Sequence, residues 1–235
     1  MKYQTKIIAL LLLFLNIVAT TKAQVEQTSS VDLTTQVPID PNVRMGKLDN
    51  GITYYLRANK MPEGRVHFRL VVNAGSVLEE EDQRGLAHFV EHMAFNGTEY
   101  YEHNELINKL QEKGVRFGGH VNARTSFDET VYYVNMPNDA EMLDMGMKIL
   151  DGWASKLLMD PDEIEAERGV ILEEWRGRLG AQYRMLQQYY PIVLKDCRYA
   201  NRIPIGTEEV IKNFKRPTIM RFYEHWYRPD LQAVI

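Results

Sequence analysis

The sequence predicts an α+β fold, on three observations. An Asn50-Gly51 turn signal sits between two short alternating runs, amphipathic helical stretches of different lengths recur along the chain, and strands and helices interleave without a regular parallel βαβ alternation. Folded structure is expected from about Val43. "VRMGKLDNGITYYLRAN" reads as a β-hairpin, and "RVHFRLVVNAGSVLE" has strand character from Val66 to Val72. A helix follows over Gly85 to Phe95. "NELINKLQEKG" sets Leu106, Ile107 and Leu110 at helical spacing and ends at Gly114, a favourable residue just past a helix. "VRFGGHVNARTSFDETVYYVNM" gives two β-rich segments around a polar turn. In "NDAEMLDMGMKILDGWASKLL", an amphipathic helix, Met142, Met145, Ile149, Trp153 and Leu157 are assigned to the core. Beyond Pro161 one long helical pattern runs through "DEIEAERGVILEEWRGRLGAQYRMLQQYY". The closing "FYEHWYRPDLQAVI" turns from helix into the start of a strand with nothing left to pair it.

A chain of 235 residues has room for one domain and the apolar content to build its core. Residues 1–23 read as a secretory signal: Lys2 and Lys6 precede an apolar run from Ile7 to about Ala19, and a Thr21-x-Ala23 pattern suits cleavage before Gln24. A retained membrane anchor is the alternative, but the run is shorter than the ~20 residues a spanning helix needs, and no stable anchor is expected. Residues 24–42, Thr/Ser-rich with Pro38 and Pro41, read as an extended linker or arm. Removing residues 1–23 takes away three lysines and no acid, so the formal charge moves from −4 to −7. That balance argues against nucleic acid as partner. A single cysteine, Cys197, excludes a disulfide framework and a cysteine-rich zinc ribbon, so any metal must use His and carboxylate ligands.

"RGLAHFVEHMAFNGTEYY" carries the densest chemistry. On a helix His88 and His92 stand at i and i+4, their imidazoles one turn apart on one face, a pincer for one metal ion. Zn²⁺ suits two imidazoles and a carboxylate, and leaves a fourth position for a water whose pKa it lowers toward ~7. Glu91, on nearly the same face, is placed to take that water's proton as it attacks a carbonyl and to return the proton to the leaving amine. The alternative is an amphipathic helix with satisfied histidines, against which a His-x-x-Glu-His arises by chance in such a chain with a probability on the order of 1% or less. His67, His103, His120 and His225 are scattered and are read as non-ligands.

His-x-x-Glu-His inverts the order of the common zinc-peptidase motif, and "GLAHFVEHMAFNGT" resembles the active-site helix of the pitrilysin/insulinase zinc metallopeptidases. The likeness extends from about Val43 through "GGHVNARTSFDETVYY", similar to the family's active-site edge strand, and "EAERGVILEEW", similar to the helix supplying its last ligand. It implies a mixed, largely antiparallel sheet packed with helices, and one zinc ion per chain. In the family a Glu-Arg pair precedes the ligand glutamate by seven residues, so Glu167-Arg168 sets the frame and Glu174 becomes the third ligand. Seven residues at ~100° return to within about 20° of the starting direction, so Glu167 and Glu174 share a face while Glu173 points elsewhere. Glu167 is then the carboxylate that orients a ligand histidine.

The resemblance also assigns Asn122 and Ala123 to substrate contact, on an edge strand that can take an unfolded peptide as an added strand. It implies a zinc-dependent metalloendopeptidase or oligopeptidase, similar to exported bacterial members with four homologous domains, and hence periplasmic or extracellular. The alternatives are a non-catalytic subunit or scaffold of the same fold, and a zinc hydrolase of other substrates. Residues 43–235 are expected to be the N-terminal domain of such an enzyme, truncated at its C-terminal end. Its peptide- and oxyanion-binding Arg and Tyr would come from C-terminal homologous domains or a partner subunit.

Overall fold

A computed structural model of the chain describes residues 34, 36–103 and 105–235. The expected signal segment, residues 1–23, lies outside the described residues, as does most of the arm expected to residue 42. Two compact units divide the chain, Met1–Asp40 and Pro41–Ile235. In the first, residues 34 and 36–40 are exposed, and 36–40 form no regular structure. The second holds the remaining elements.

Strands β1 (Val43–Lys47) and β2 (Thr53–Arg57) form the hairpin, with Val43 opposite Arg57 and Lys47 opposite Thr53. The turn is longer than the two residues an Asn-Gly pair can span. Gly51 takes φ +103°, and the Asn50 side chain accepts from the Ile52 N–H at 3.1 Å. Strand β3 (Arg65–Val72) pairs antiparallel with a later strand, Thr130–Pro137, and both alternate, burying Phe68, Leu70 and Val72 and Tyr132, Val134 and Met136. The helix carrying the His-x-x-Glu-His motif, α1 (Leu86–Met93), follows β3, and β4 (Gly97–Thr98) and β5 (Tyr101–Glu102) make a separate two-stranded ribbon. Helix α2 (Glu105–Glu112) buries Leu106 and Leu110 and leaves Ile107 half-buried. Gly114 closes it at φ +75°.

Strands β6 (Val121–Thr125) and β7 (Thr130–Pro137) are the two β-rich segments. Helix α3 (Ala140–Ser155) is capped by Asp139, whose carboxylate accepts from the Met142 N–H at 2.9 Å. It packs on β3 and β7. Met142, Ile149 and Trp153 are buried and Met145 partly so; Leu157 is buried too, but beyond the end of the helix. The expected single long helix is two, α4 (Pro161–Arg178) and α5 (Ala181–Val193), broken at Leu179-Gly180, where extended Gly180 (ψ 176°) precedes α5. The break comes although the apolar spacing continues through it. Helices α6 (Glu208–Asn213) and α7 (Arg216–Trp226) lead to β8 (Gln232–Val234).

The closing segment differs most from expectation. Instead of standing unpaired, β8 lies inside the sheet, whose order is β1-β2-β8-β3-β7-β6. It runs parallel to β2 and antiparallel to β3, and Ile235 extends the pairing by exchanging hydrogen bonds with Arg69 at 3.0 and 2.9 Å. A short apolar strand with small Ala233 at its centre suits a position flanked on both sides. All other pairs in this six-stranded sheet are antiparallel, which makes it the mixed, largely antiparallel sheet of an α+β fold. Strands β1 and β6 are its two edges, and β6 lies beside α1.

Candidate metal centre

Where α1 begins is set by two glycines. Gly85, its N-cap, takes φ +106°, and Gly206 takes φ +73°; a Cβ on Gly206 would stand 2.3 Å from the Gly85 Cα and 2.4 Å from the Arg84 carbonyl oxygen. Only paired glycines let the two backbones cross this closely. The expected helix from Gly85 to Phe95 is therefore shorter at its start, because Gly85 is left-handed. Ahead of it Glu79, fully buried, accepts from the Ala87 N–H at 2.8 Å, and so places a carboxyl at the positive end of the helix dipole. Burial pushes that carboxyl up to about 8.

Helix α1 packs against α4, α7, β6 and β7. Helix α4 is started by Asp160, whose carboxylate accepts from the N–H groups of Asp162 and Glu163, with Pro161 in the first turn. Its inward face carries Glu167 and Glu174 to the two histidines of α1. The Nε2 atoms of His88 and His92 are 3.2 Å apart, and Glu174 Oε2 stands 3.5 Å from His88 Nε2 and 3.6 Å from His92 Nε2. A tetrahedral ion with bonds of ~2.0–2.1 Å separates its ligand atoms by about 3.3 Å. The three residues fit one zinc ion. Glu173 points away, its side chain 72% exposed and paired with Arg176, as the helical frame predicts.

Hydrogen bonds orient this set. His92 Nδ1 and Glu167 Oε1 are 2.7 Å apart, so Nδ1 donates to the carboxylate and Nε2 keeps its lone pair for a metal. The other oxygen of Glu167 accepts from Asn96 Nδ2 at 2.7 Å. Burial tends to lower the His92 pKa, but the hydrogen bond and charge of Glu167 outweigh it and hold the imidazole above its usual value. Glu167 is held below the usual carboxylate range, its burial outweighed by His92 and Asn96. Burial, reinforced by His92, pushes His88 down to about 4 and keeps it neutral. Glu174 lies low in spite of burial because His88 and Arg178 face it, and its second oxygen accepts from Arg178.

Glu91 is buried, and its Oε2 accepts from the Thr125 hydroxyl at 2.5 Å. Burial raises its pKa, with the Thr125 hydrogen bond opposing. Thr125 ends β6, the edge strand that also carries Asn122 and Ala123, both half-buried. The Asn122 side chain accepts from the Ala123 N–H at 2.9 Å.

Residues 54–190, more than half of the chain, match the insulinase family, peptidase family M16. The chain belongs to the insulinase family. Over 231 residues it is 38% identical to the probable zinc protease PqqL of Haemophilus influenzae, covering 98% of this chain and 24% of that one. The crystal structure of the periplasmic protease PqqL from Escherichia coli superposes with a TM-score of 0.81 at 38% identity, over 86% of this chain and 22% of that one. The ferredoxin protease FusC, solved as a point mutant in complex with Arabidopsis ferredoxin, gives 0.76 at 33% identity, over 82% and 21%. The chain thus spans about a quarter or less of the length of these insulinase-family relatives.

The likeness to the insulinase family read from the motifs is borne out, and so is the fold it implied. The fold brings His88, His92 and Glu174 together, with ligand atoms within 4.8 Å of one another, and sets Glu167 behind His92. The histidines read as non-ligands lie elsewhere: His67 bonds Asn135, His103 pairs with Glu163, His120 accepts from the Arg116 N–H, and His225 packs on Trp226. Cys197 is exposed. Sequence reasoning missed Thr125, Asn96, Glu79 and Arg178. Asn96 lies just past the end of the motif helix, and Thr125 and Glu79 reach the site only through tertiary packing.

Proposed function

We propose that this chain is the zinc-bearing portion of a metalloendopeptidase that hydrolyses peptide bonds outside the cytoplasm. The observation that carries this reading is the triangle of His88 Nε2, His92 Nε2 and Glu174 Oε2 with sides of 3.2, 3.5 and 3.6 Å, the spacing one zinc ion imposes on its ligands. When bound, zinc supplies a Lewis acid that polarises water and the scissile carbonyl. Glu91 is the general base: buried, with a raised pKa, it accepts a proton at a carboxylate oxygen and passes it to the departing amine. Glu167 holds the His92 ring in one tautomer. Asn122 and Ala123 receive the substrate, whose backbone adds to the open edge of β6 once the Ala123 N–H leaves the Asn122 side chain. Peptides and unfolded polypeptides suit such sequence-tolerant pairing, and the name of FusC supports a protein substrate.

Residues 1–23 act as an export signal, residues 24–42 serve as a linker or arm, and residues 43–235 form the N-terminal peptidase domain. The periplasmic location of the Escherichia coli relative supports export. The relatives are about four times as long, which supports a complete active site that draws its peptide- and oxyanion-binding groups from further homologous domains or a partner subunit. One missing oxyanion donor costs ~10²–10³ in rate. The test is a quenched fluorescent peptide mixture, with and without chelator, assayed on the chain alone and with the downstream region supplied. Chelator-sensitive cleavage that appears on addition of the downstream region is expected; no cleavage in any combination overturns the reading.

A further inference from the structure

Glu91 adjoins His92 in sequence and feels the charges of both His92 and Glu174. A carboxylate so close to a divalent ion is drawn toward it, and a Glu91 that ligated would no longer be free to move a proton. Something must hold it back.

Thr125 Oγ1 donates to Glu91 Oε2 at 2.5 Å, within the short, charge-assisted class. This hydroxyl has one proton to give. Thr130, directly opposite on β7, commits its own proton to the Ala74 carbonyl at 2.8 Å, and its Oγ1, 3.5 Å from Thr125 Oγ1, is a weaker acceptor for the Thr125 proton than the Glu91 carboxylate at 2.5 Å. Thr130 is almost wholly buried and fixed in the sheet's regular register, so Thr125 is held by a rigid strand pair and not by a loop. We propose that Thr125 is a positioning residue that tethers the Glu91 carboxylate to the edge strand and keeps it out of the metal's ligand set. This rests on the reading of His88, His92 and Glu174 as ligands and Glu91 as base. It adds that the strand offered to the peptide also sets where the base stands.

The test uses the 235-residue chain loaded with cobalt(II) in place of zinc. Cobalt's visible absorption is strong in a four-coordinate tetrahedral site; an added protein ligand weakens the band where it raises the coordination number and shifts it where it displaces water. Metal stoichiometry is expected to be equal in wild type, Thr125→Val and Thr125→Ser. The visible band should weaken or shift in Thr125→Val, return in Thr125→Ser, and return in Thr125→Val combined with Glu91→Gln, where the carboxamide is a poor ligand. Should Thr125→Val fail to fold, Thr125→Ala provides the same readout. A metal-loaded Thr125→Val or Thr125→Ala spectrum that superposes on wild type overturns the tether alone. Failure of the wild-type chain to bind cobalt overturns the ligand assignment, and the tether with it.

Discussion

Removing the Glu167 carboxylate should weaken zinc binding at neutral pH and, with the opposite sign, make binding more resistant to acid. Its Oε1 takes the His92 Nδ1 proton at 2.7 Å and its Oε2 takes an Asn96 amide proton at 2.7 Å. A hydrogen bond to a charged group is worth ~1.5–3 kcal/mol, and at ~1.36 kcal/mol per tenfold its loss in Glu167→Ala corresponds to a weakening of about 10- to 150-fold, matching the ~10–100-fold typical of groups that support metal ligands. Glu167→Gln should fall between. Its single oxygen can serve one donor, and Asn96 must rotate its amide to serve the other. The pH term follows from His92, held above its usual value because Glu167 outweighs burial. Zinc needs the neutral ring, so wild-type affinity falls as pH drops through that raised value. Without Glu167 burial is opposed only by the charges of Glu91 and Glu174, the His92 pKa drops, and the fall moves to lower pH. Competition with a chromophoric chelator between pH 5 and 8, with folding followed by circular dichroism, measures both effects. An Ala variant with wild-type affinity and wild-type pH dependence would refute the assignment of Glu167.

Four further outcomes are expected. Glu174→Gln should lose most zinc while Glu173→Gln keeps it, since Glu173 faces solvent and pairs only with Arg176; metal analysis decides, and the reverse result would mean that the helical frame is wrong. Glu91→Gln should retain one zinc per chain, while hydrolysis by the complete enzyme drops ~10²-fold or more; loss of zinc with the fold intact would make Glu91 a ligand. Glu79, with its folded pKa raised to about 8, keeps a proton that the unfolded chain releases near 4.5, so its contribution to stability declines as pH rises through that window, by about 1.4 kcal/mol per unit. Glu79→Gln should therefore stabilise the chain at pH 8 relative to its effect at pH 5, read from denaturant midpoints, and an effect equal at both pH values would contradict this. Gly206→Ala must fit a Cβ 2.3 Å from the Gly85 Cα at φ +73°; it should cost more than ~1 kcal/mol, a drop of at least ~2–4 °C in Tm for a domain of this size.

Much of the site was legible because its chemistry is local. His88, Glu91 and His92 occupy one helical turn, and Glu167 and Glu174, which the family resemblance singled out among the acids of their helix, stand seven residues apart and so share a face whatever that helix packed against. The hairpin, β3, β7 and α3 were legible for the same reason, since apolar periodicity is a local signal. What escaped depends on contacts distant in sequence. Thr125 meets Glu91 only because β6 lies beside α1, and Glu79 reaches Ala87 only because the chain folds back onto the helix start. Apolar spacing also runs on through Leu179-Gly180, and so concealed the break between α4 and α5.

The insertion of β8 between β2 and β3 has a consequence for how the molecule forms. No hydrogen-bonded ladder joins β2 to β3 directly; the sheet is continuous only through β8. The first strands of this sheet to leave a ribosome therefore wait for residues 232–235. Until residues 232–235 arrive, the β1–β2 hairpin has no partner in the sheet, and β3 shows a bare edge with its apolar alternation already in place. Pairing across so long a stretch of chain is slow, because loop closure must precede the contacts that reward it. An exposed β3 edge is also a template for pairing with other nascent chains. Late closure by β8 thus ties completion of the sheet to the arrival of residues 232–235, however early the other strands are made.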